Sequence, residues 1–127
     1  MKLNLLVVDD NEMMRSFLSH FLKKHFRVKT VENVNSAWNY LDKGHIPDVI
    51  LLDILLPAQN GLDFLHQLKG SVLFNDIPVI ILSSMDKSSK RVECLIAGAD
   101  DYVTKPFNPK ELELRIHKQL KRQAVLS

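Results

Sequence analysis

Short apolar runs alternate along the chain with segments in which apolar residues recur at helical spacing. The five predicted strands span residues 4–8, 27–31, 48–53, 77–83 and 100–105. Several of these runs are apolar almost throughout, a pattern typical of parallel strands that are buried on both faces. The segments between and after them carry the helical periodicity. This alternation predicts an α/β fold with a parallel sheet and helices on both of its faces.

The helical segments give more local predictions. Asn11 is a plausible N-cap of the first helix, and Gly44 ends the second helix. Cys94 falls on the apolar face of the fourth helix, where we expect a packed core thiol. The apolar residues of the first helix that fall at helical spacing are Met14, Phe17, Leu18, Phe21 and Leu22.

Composition adds limits to this picture. With 127 residues, 46% of them apolar and 25% charged, the chain fits one globular domain over residues 1–127. The net charge of +2 is too small to argue for nucleic acid or an acidic membrane. No stretch resembles a signal peptide or a membrane span, and one cysteine cannot form an internal disulfide, so we expect a cytoplasmic protein. The final "AVLS" is compatible both with a free-standing domain and with one excised from a longer protein.

Polar residues cluster at the predicted carboxyl ends of the strands, the edge where ligands bind in open α/β sheets. Asp9 and Asp10 close the first strand, Asp53 the third, Ser83 the fourth and Lys105 the fifth. Three carboxylates gathered there would repel one another unless a cation joined them. Mg²⁺, which prefers oxygen ligands, is the obvious candidate. The histidines, which show no metal-binding spacing and are expected at the surface or rim, are His20, His25, His45, His66 and His117.

This set of residues suits phosphoryl transfer. Asp53 can attack phosphorus to form an acyl phosphate, Lys105 can supply a positive charge, and the Ser83 hydroxyl can donate a hydrogen bond. Each residue alone has a plainer interpretation. Asp53 could be a turn former or helix cap, Ser83 a turn hydroxyl and Lys105 a solvated charge. Their joint placement favours the functional interpretation.

At these residues the chain resembles the receiver domain of two-component response regulators, most of all receivers of regulators with a winged-helix output. The similarity covers essentially the whole chain, through "VVDDN" (7–11), "LLDILLPAQNG" (51–61), "PVIILSS" (78–84) and "GADDYVTKPF" (98–107). The resemblance implies a doubly wound, flavodoxin-like sheet of five strands in the order 2-1-3-4-5 with five helices. It also implies a signalling switch and not a turnover enzyme. The phosphoryl donor would be a partner histidine kinase, a phosphotransfer protein or a small acyl phosphate.

The resemblance also implies roles for single residues. Asp53 would be the phosphoacceptor, and Asp9 and Asp10 would hold Mg²⁺ together with Asp53 and the backbone carbonyl of Leu55. Ser83 would be the switch hydroxyl and Tyr102 the switch aromatic. Lys105 would be the lysine that the family has in its site, followed by a cis Pro106. A half-buried strand aromatic is the alternative interpretation of Tyr102.

Two features depart from the family pattern. Ser84 follows the switch hydroxyl where the family often has alanine, so a second hydroxyl could crowd or hydrogen-bond the phosphoryl group. Leu55 and Met85, two positions beyond Asp53 and Ser83, are apolar where polar side chains would help to orient an attacking water. We therefore expect slow self-dephosphorylation.

Charged residues of the fourth helix, the fifth strand and the fifth helix could pair across a two-fold axis. This surface is similar to that of regulators whose receivers dimerise to align winged-helix DNA-binding domains. A solvated salt-bridge network within one chain is the alternative, and these 127 residues contain no element that reads DNA. The residues concerned are Arg91, Asp100, Asp101, Glu111 and Arg115.

Three other function classes fit less well. A Mg²⁺-dependent phosphohydrolase with an aspartyl nucleophile usually has a second acid two residues later and a cap insertion; here that position is Leu55 and no insertion exists. A binding domain that has lost phosphorylation is disfavoured by the intact acids and Lys105. A dinucleotide-binding fold is disfavoured because "DDNEMM" has no glycine where the first turn would meet a pyrophosphate.

Overall fold

The structure is a computed structural model that describes residues 2–54, 61–84 and 88–126. The predicted alternation of strands and helices is confirmed, with boundaries shifted by a few residues. The strands are β1 (Leu3–Val8), β2 (Phe26–Val31), β3 (Val49–Asp53), β4 (Val79–Ser83) and β5 (Asp101–Thr104). The helices are α1 (Glu12–Leu22), α2 (Val34–Asp42), α3 (Gly61–Lys69), α4 (Ser88–Ile96) and α5 (Pro109–Leu126).

Side-chain caps explain where the first two helices begin. The Asn11 side chain accepts a hydrogen bond from the Met14 N–H, which confirms the predicted N-cap of α1. Asn33 caps α2 in the same way by accepting from the Ser36 N–H. Because of this second cap, α2 begins at Val34.

The five strands form one parallel sheet in the order β2-β1-β3-β4-β5, as predicted. The register aligns Val8 with Leu52, Asp53 with Leu82, and Ser83 with Thr104. The carboxyl ends of β1, β3, β4 and β5 therefore meet at one edge of the sheet. The edge strands are β2 and β5.

Each face of the sheet has its own apolar core. Helices α1 and α5 cover one face, where Leu18 and Leu22 pack with Leu112 and Ile116. Helices α2, α3 and α4 cover the other face and include the buried Cys94, as predicted. Burial raises the pKa of the Cys94 thiol, so this cysteine stays a neutral packing group. The five histidines are all exposed, also as predicted.

The apolar residues of α1 differ in how deeply they are buried. Leu18 and Leu22 are fully buried, but Phe17 is 43% exposed and stacks on Phe21 with ring centroids 6.2 Å apart. The five apolar residues of this helix cover a wider arc than its contact with the sheet can bury. Phe17 therefore lies at the rim of the apolar stripe.

A polar cluster lies at the amino ends of β4 and β5, opposite the carboxyl edge of the sheet. Lys69 donates to Oδ2 of Asp100 at 3.0 Å and to the backbone oxygen of Ile77 at 2.9 Å. Oδ2 of Asp100 also accepts from the Val79 N–H at 2.8 Å. Gly98 precedes this cluster with φ +110°, and a Cβ there would lie 2.8 Å from Cγ of Lys69. We call Lys69, Asp100 and their backbone partners the basal cluster.

Among the described residues, no helix is both long enough and apolar enough to cross a lipid bilayer.

Candidate functional site

Three carboxylates meet at the carboxyl edge of the sheet. Asp9 and Asp10 directly follow β1, and Asp53 is the last residue of β3, the neighbouring strand. One oxygen from each carboxylate lies within 4.8 Å of the others. Asp9 and Asp53 are buried, whereas Asp10 is exposed. The structure thus brings the predicted acids together, and we call them the acid cluster.

Asp9 is held from several sides. Its Oδ1 accepts the Asn11 N–H at 2.9 Å, and its backbone N–H donates to the Val31 oxygen at 3.1 Å. Its backbone oxygen accepts from the Arg15 guanidinium, also at 2.9 Å. The start of α1 therefore fixes the geometry of Asp9. The chain pattern identified Asn11 only as a helix cap and gave no signal for Arg15, which lies at the end of the first turn of α1.

Lys105 supplies the positive charge of the site, as predicted. Its Nζ lies 2.8 Å from Oδ2 of Asp9 and 3.6 Å from Oδ2 of Asp53. Its backbone N–H donates to the Ser83 oxygen at 2.7 Å, which places the residue at the ends of β4 and β5. The peptide bond between Lys105 and Pro106 is cis, in agreement with the expectation.

The acid cluster has the composition of a divalent-cation site. Three carboxylates face one ammonium group, so two negative charges remain, the charge that one Mg²⁺ ion balances. The donors are all oxygens, as Mg²⁺ prefers. In the part of the chain that the structure describes, no other group of three acidic, histidine or cysteine side chains is this close together. The predicted carbonyl ligand, Leu55, lies outside the described residues, as does Met85.

Gly61 packs against the backbone of Asp53. A Cβ at Gly61, the first residue of α3, would lie 2.9 Å from the backbone oxygen of Asp53 and 3.0 Å from Cα of Ile54. Real side chains do not approach backbone this closely, so only glycine fits here. The start of α3 thus packs backbone to backbone against the end of β3.

The two predicted switch residues lie on adjacent strands and both are buried. Ser83 ends β4, and Tyr102, on β5, is aligned with Ile81, two residues before Ser83. Residues two apart in a strand share a face, so Ser83 and Tyr102 lie on the same side of the sheet. Tyr102 is 3% exposed, so this strand aromatic is fully buried and not half-buried. The Arg91 guanidinium lies 5.2 Å from the centre of its ring.

The charges considered for a dimer face make contacts within the chain. Arg115 donates to both carboxylate oxygens of Asp101 at 2.9 and 3.0 Å, and to Glu111 at 3.1 Å. These bonds raise the pKa of Arg115, with the Asp101 hydrogen bond as the largest cause. Asp100 belongs to the basal cluster, and Arg91 lies over Tyr102. The same two helices also expose large apolar residues: Val92, Leu95 and Ile96 on α4, and Leu114 on α5.

Comparisons with known proteins agree with this geometry. The family described as "Response regulator receiver domain" matches residues 5–117. The chain is 41% identical, over 93% of its length, to the phosphate regulon transcriptional regulatory protein PhoB of Klebsiella pneumoniae and spans 52% of that protein. The chain therefore spans about half the length of this curated relative.

Solved structures give the same result. A CheY-like receiver domain protein from Methanospirillum hungatei superposes with a TM-score of 0.91 over 100% of both chains; at 23% identity it shows the fold alone. DrrB, an OmpR/PhoB homologue from Thermotoga maritima, is 32% identical with a TM-score of 0.83. That match covers 97% of this chain and 54% of DrrB.

Proposed function

The chain belongs to the response regulator receiver domain family of two-component systems, and from this premise we propose that it is a Mg²⁺-dependent switch phosphorylated on Asp53. One observation carries the proposal. The carboxylate of Asp53 lies with Asp9 and Asp10, each within 4.8 Å, and 3.6 Å from the Lys105 ammonium group. This arrangement can hold a divalent cation and a phosphoryl group side by side.

The proposed chemistry uses the residues as follows. A carboxylate oxygen of Asp53 attacks phosphorus, the new O–P bond gives an acyl phosphate, and the bond from phosphorus to the donor breaks. The electron pair of that bond leaves with the donor, an imidazole nitrogen of a histidine kinase or phosphotransfer protein, or the carboxylate of a small acyl phosphate. Asp9, Asp10 and Asp53 would hold Mg²⁺, which would supply positive charge next to the phosphoryl oxygens. Lys105 supplies a further charge.

Readout of the phosphoryl group would pass through β4 and β5. The added charge of about −2 at Asp53 draws the Ser83 hydroxyl toward it, and Tyr102 responds because the two side chains share a face of the sheet. The two arrangements are populated states whose balance phosphorylation shifts. The Arg91 guanidinium lies over the Tyr102 ring, so a movement of Tyr102 would change the position of an exposed side chain of α4.

The α4–β5–α5 surface would be the output surface in this proposal. Exposed apolar residues of α4 and α5 lie there beside the pairs of Arg115 with Asp101 and Glu111. We propose that phosphorylation makes two copies associate through this surface. The charged pairs now formed within one chain would then exchange between the copies.

The wider context is part of the same proposal. Residues 1–127 act as one receiver domain, free-standing or within a longer regulator, and meet a histidine kinase or phosphotransfer protein in the cytoplasm. Because the PhoB relative is a transcriptional regulatory protein about twice as long, a DNA-binding output is the proposed target. This domain itself would bind neither DNA nor membrane, and it would not turn over a substrate.

The test is the intact mass of the protein after incubation with acetyl phosphate, with and without Mg²⁺. We expect one added phosphoryl group that requires both Mg²⁺ and Asp53. Asp53→Asn removes the acceptor, and Asp63→Asn, at an exposed aspartate of α3, is the matched control. No adduct with steady release of inorganic phosphate would indicate a hydrolase. No adduct and no release would indicate a domain that signals by binding alone.

A further inference from the structure

A groove of about 550 Å³ runs along the open edge of the sheet, beside β2. α1 contributes Arg15, the edge strand contributes Lys29, and α2 contributes Tyr40. The volume lies within the roughly 300–1,000 Å³ range of small-molecule sites. None of the functions described so far uses this feature, which we call the edge groove.

The edge groove carries an excess of positive charge. Arg15, Lys29 and Lys43 line it, and among the described residues Glu32 is the only acid that does so. Within the described part of the chain, neither Lys29 nor Lys43 forms an ion pair, whereas Lys69, Lys90, Lys105 and Lys110 each do. Uncompensated cations in a concave site concentrate anions from solution.

Two aromatic residues, Tyr40 and His45, also line the groove. The rings of Tyr40 and His45 stack with centroids 4.6 Å apart and an interplanar angle of 13°. Lys29 holds its ammonium group 5.8 Å from the Tyr40 ring centre. The stacked pair therefore offers a planar surface next to positive charge, beside the hydrogen-bonding side chains of Ser36 and Asn39. A flat heterocycle that carries a phosphate group matches this combination.

The alternative occupant of an open sheet edge is an added strand. Edge strands that carry lysine or arginine resist such pairing, and β2 carries both Arg27 and Lys29. The charge pattern of the edge therefore favours a small anion over a peptide strand.

We propose that the edge groove is a nucleotide-binding site. The cations would bind the phosphate group, and the pair of Tyr40 and His45 would stack with the base. Arg15 links this site to the acid cluster, because this residue lines the groove and its guanidinium donates to the backbone oxygen of Asp9. A bound phosphate that engages Arg15 would thus change the environment of Asp9.

The test is an NMR titration of the ¹⁵N-labelled protein with AMP, GMP, guanosine and inorganic phosphate, each separately. The buffer holds EDTA and about 0.15 M salt, so that the acid cluster has no metal and repels anions. We expect saturable shifts at residues 29–45 with a Kd below about 1 mM for at least one nucleotide. Inorganic phosphate and guanosine should each bind at least about tenfold more weakly.

Variants separate the two parts of the site. Lys29→Gln and Lys43→Gln should each weaken nucleotide binding several-fold, whereas Lys121→Gln, an exposed lysine of α5 outside the groove, should not. His45→Ala should weaken binding of the nucleotide but not of inorganic phosphate. Because His45 is exposed, this variant is expected to fold, as its NMR spectrum would confirm.

Three results would overturn the proposal: no saturable shift at about 10 mM nucleotide, equal binding of phosphate and nucleotide, or an equal effect of Lys121→Gln. Asp53→Asn should bind nucleotide like the wild type. The outcome is thus independent of whether Asp53 accepts a phosphoryl group.

Discussion

The ammonium group of Lys105 donates a 2.8 Å hydrogen bond to Oδ2 of Asp9, although 3.6 Å separate it from Oδ2 of Asp53, the proposed phosphoacceptor. With Oδ1 bound to the Asn11 N–H, both carboxylate oxygens of Asp9 have a partner. A cation that binds at Asp9 must therefore share this carboxylate with Lys105. We infer that metal binding weakens the bond to Asp9 and leaves Lys105 available to the phosphoryl group on Asp53.

Replacement of Lys105 should change metal affinity and stability in opposite directions. Lys105→Met leaves the acids without their positive partner, so Mg²⁺ should bind about tenfold more tightly, because a nearby like charge has gone. Without metal, the variant should lose about 3–5 kcal/mol of unfolding free energy, since buried Asp9 loses its ion-pair partner. Calorimetric Mg²⁺ titration and urea unfolding measure the two effects, with Lys121→Met as control. Unchanged Mg²⁺ affinity would argue against competition at Asp9.

The basal cluster should behave as a coupled unit. Asp100→Asn should cost about 1–3 kcal/mol of unfolding free energy, since Oδ2 serves both Lys69 and the Val79 N–H. Lys69→Met should cost less, and the double variant less than the sum of the two, with a coupling of about 1 kcal/mol. Urea unfolding of the four proteins checks this cycle. Strict additivity would mean that the two side chains do not act together.

Glu113 should make the free energy of unfolding depend on pH in the acidic range. The hydrogen bond from Lys110 is the largest cause that lowers the pKa of Glu113 below its ordinary 4.5, and the charges of Lys110, His25 and His117 add to it. A carboxyl group whose pKa is lower in the folded state than in the unfolded state stabilises the fold at pH values above its unfolded-state pKa. This stabilisation is lost as the pH falls through the folded-state pKa.

The corresponding variant is Glu113→Gln. It should be less stable than the wild type by about 1 kcal/mol at pH 7, and the difference should shrink progressively once the pH falls below 4.5. Urea unfolding at several pH values measures this, with Glu93→Gln on the exposed face of α4 as control. A difference that stays constant down to about pH 3 would assign the effect to packing and not to charge.

Arg115 should matter more to association than to folding. Arg115→Glu breaks partly exposed pairs with Asp101 and Glu111, so the monomer should lose no more than about 1 kcal/mol. The phosphorylated variant should nevertheless stay monomeric in sedimentation experiments in which the phosphorylated wild type dimerises. Lys118→Glu, an exposed residue of the same helix, is the control. Equal dimerisation of both phosphorylated variants would remove Arg115 from the interface.

Slow loss of the phosphoryl group remains a prediction from sequence alone, because Leu55 and Met85 lie outside the described residues. With apolar side chains at both positions, an attacking water is poorly oriented, and the acyl phosphate should persist for many minutes or longer. Polar replacements, Leu55→Asn and Met85→Gln, should shorten its lifetime. Intact mass after removal of acetyl phosphate follows the decay. A wild-type half-life of seconds would contradict the prediction.

Much of the fold and of the acid cluster could be predicted because both depend on strand ends. Asp9 and Asp53 lie at the ends of apolar runs that predict strands, and Lys105 ends a shorter, more polar predicted strand. Parallel strands bring their carboxyl ends to one edge. The exact strand order came from the resemblance to a family. The site was thus predictable from chain direction and periodicity, with no knowledge of packing.

Contacts between distant residues that do not lie at the carboxyl ends of the strands were not predictable. Glu113 pairs with His25 across 88 positions, and Asp100 binds Lys69 instead of remaining free on the surface. The edge groove could not be predicted for the same reason, because its lining residues come from α1, β2 and α2. Periodicity says which side of a helix is apolar, but Phe17 shows that it does not say how much of that side its neighbours can cover.

The bare backbone of Gly61 bears on how this protein can be labelled. A fluorophore or spin label attached there would seem attractive, because the position lies next to Asp53. Any side chain at Gly61 would instead press on the Asp53 carbonyl, 2.9 Å from where its Cβ would begin, and would displace the residue whose state the probe should report. Asp63, exposed in the next half-turn of α3, is the better attachment point.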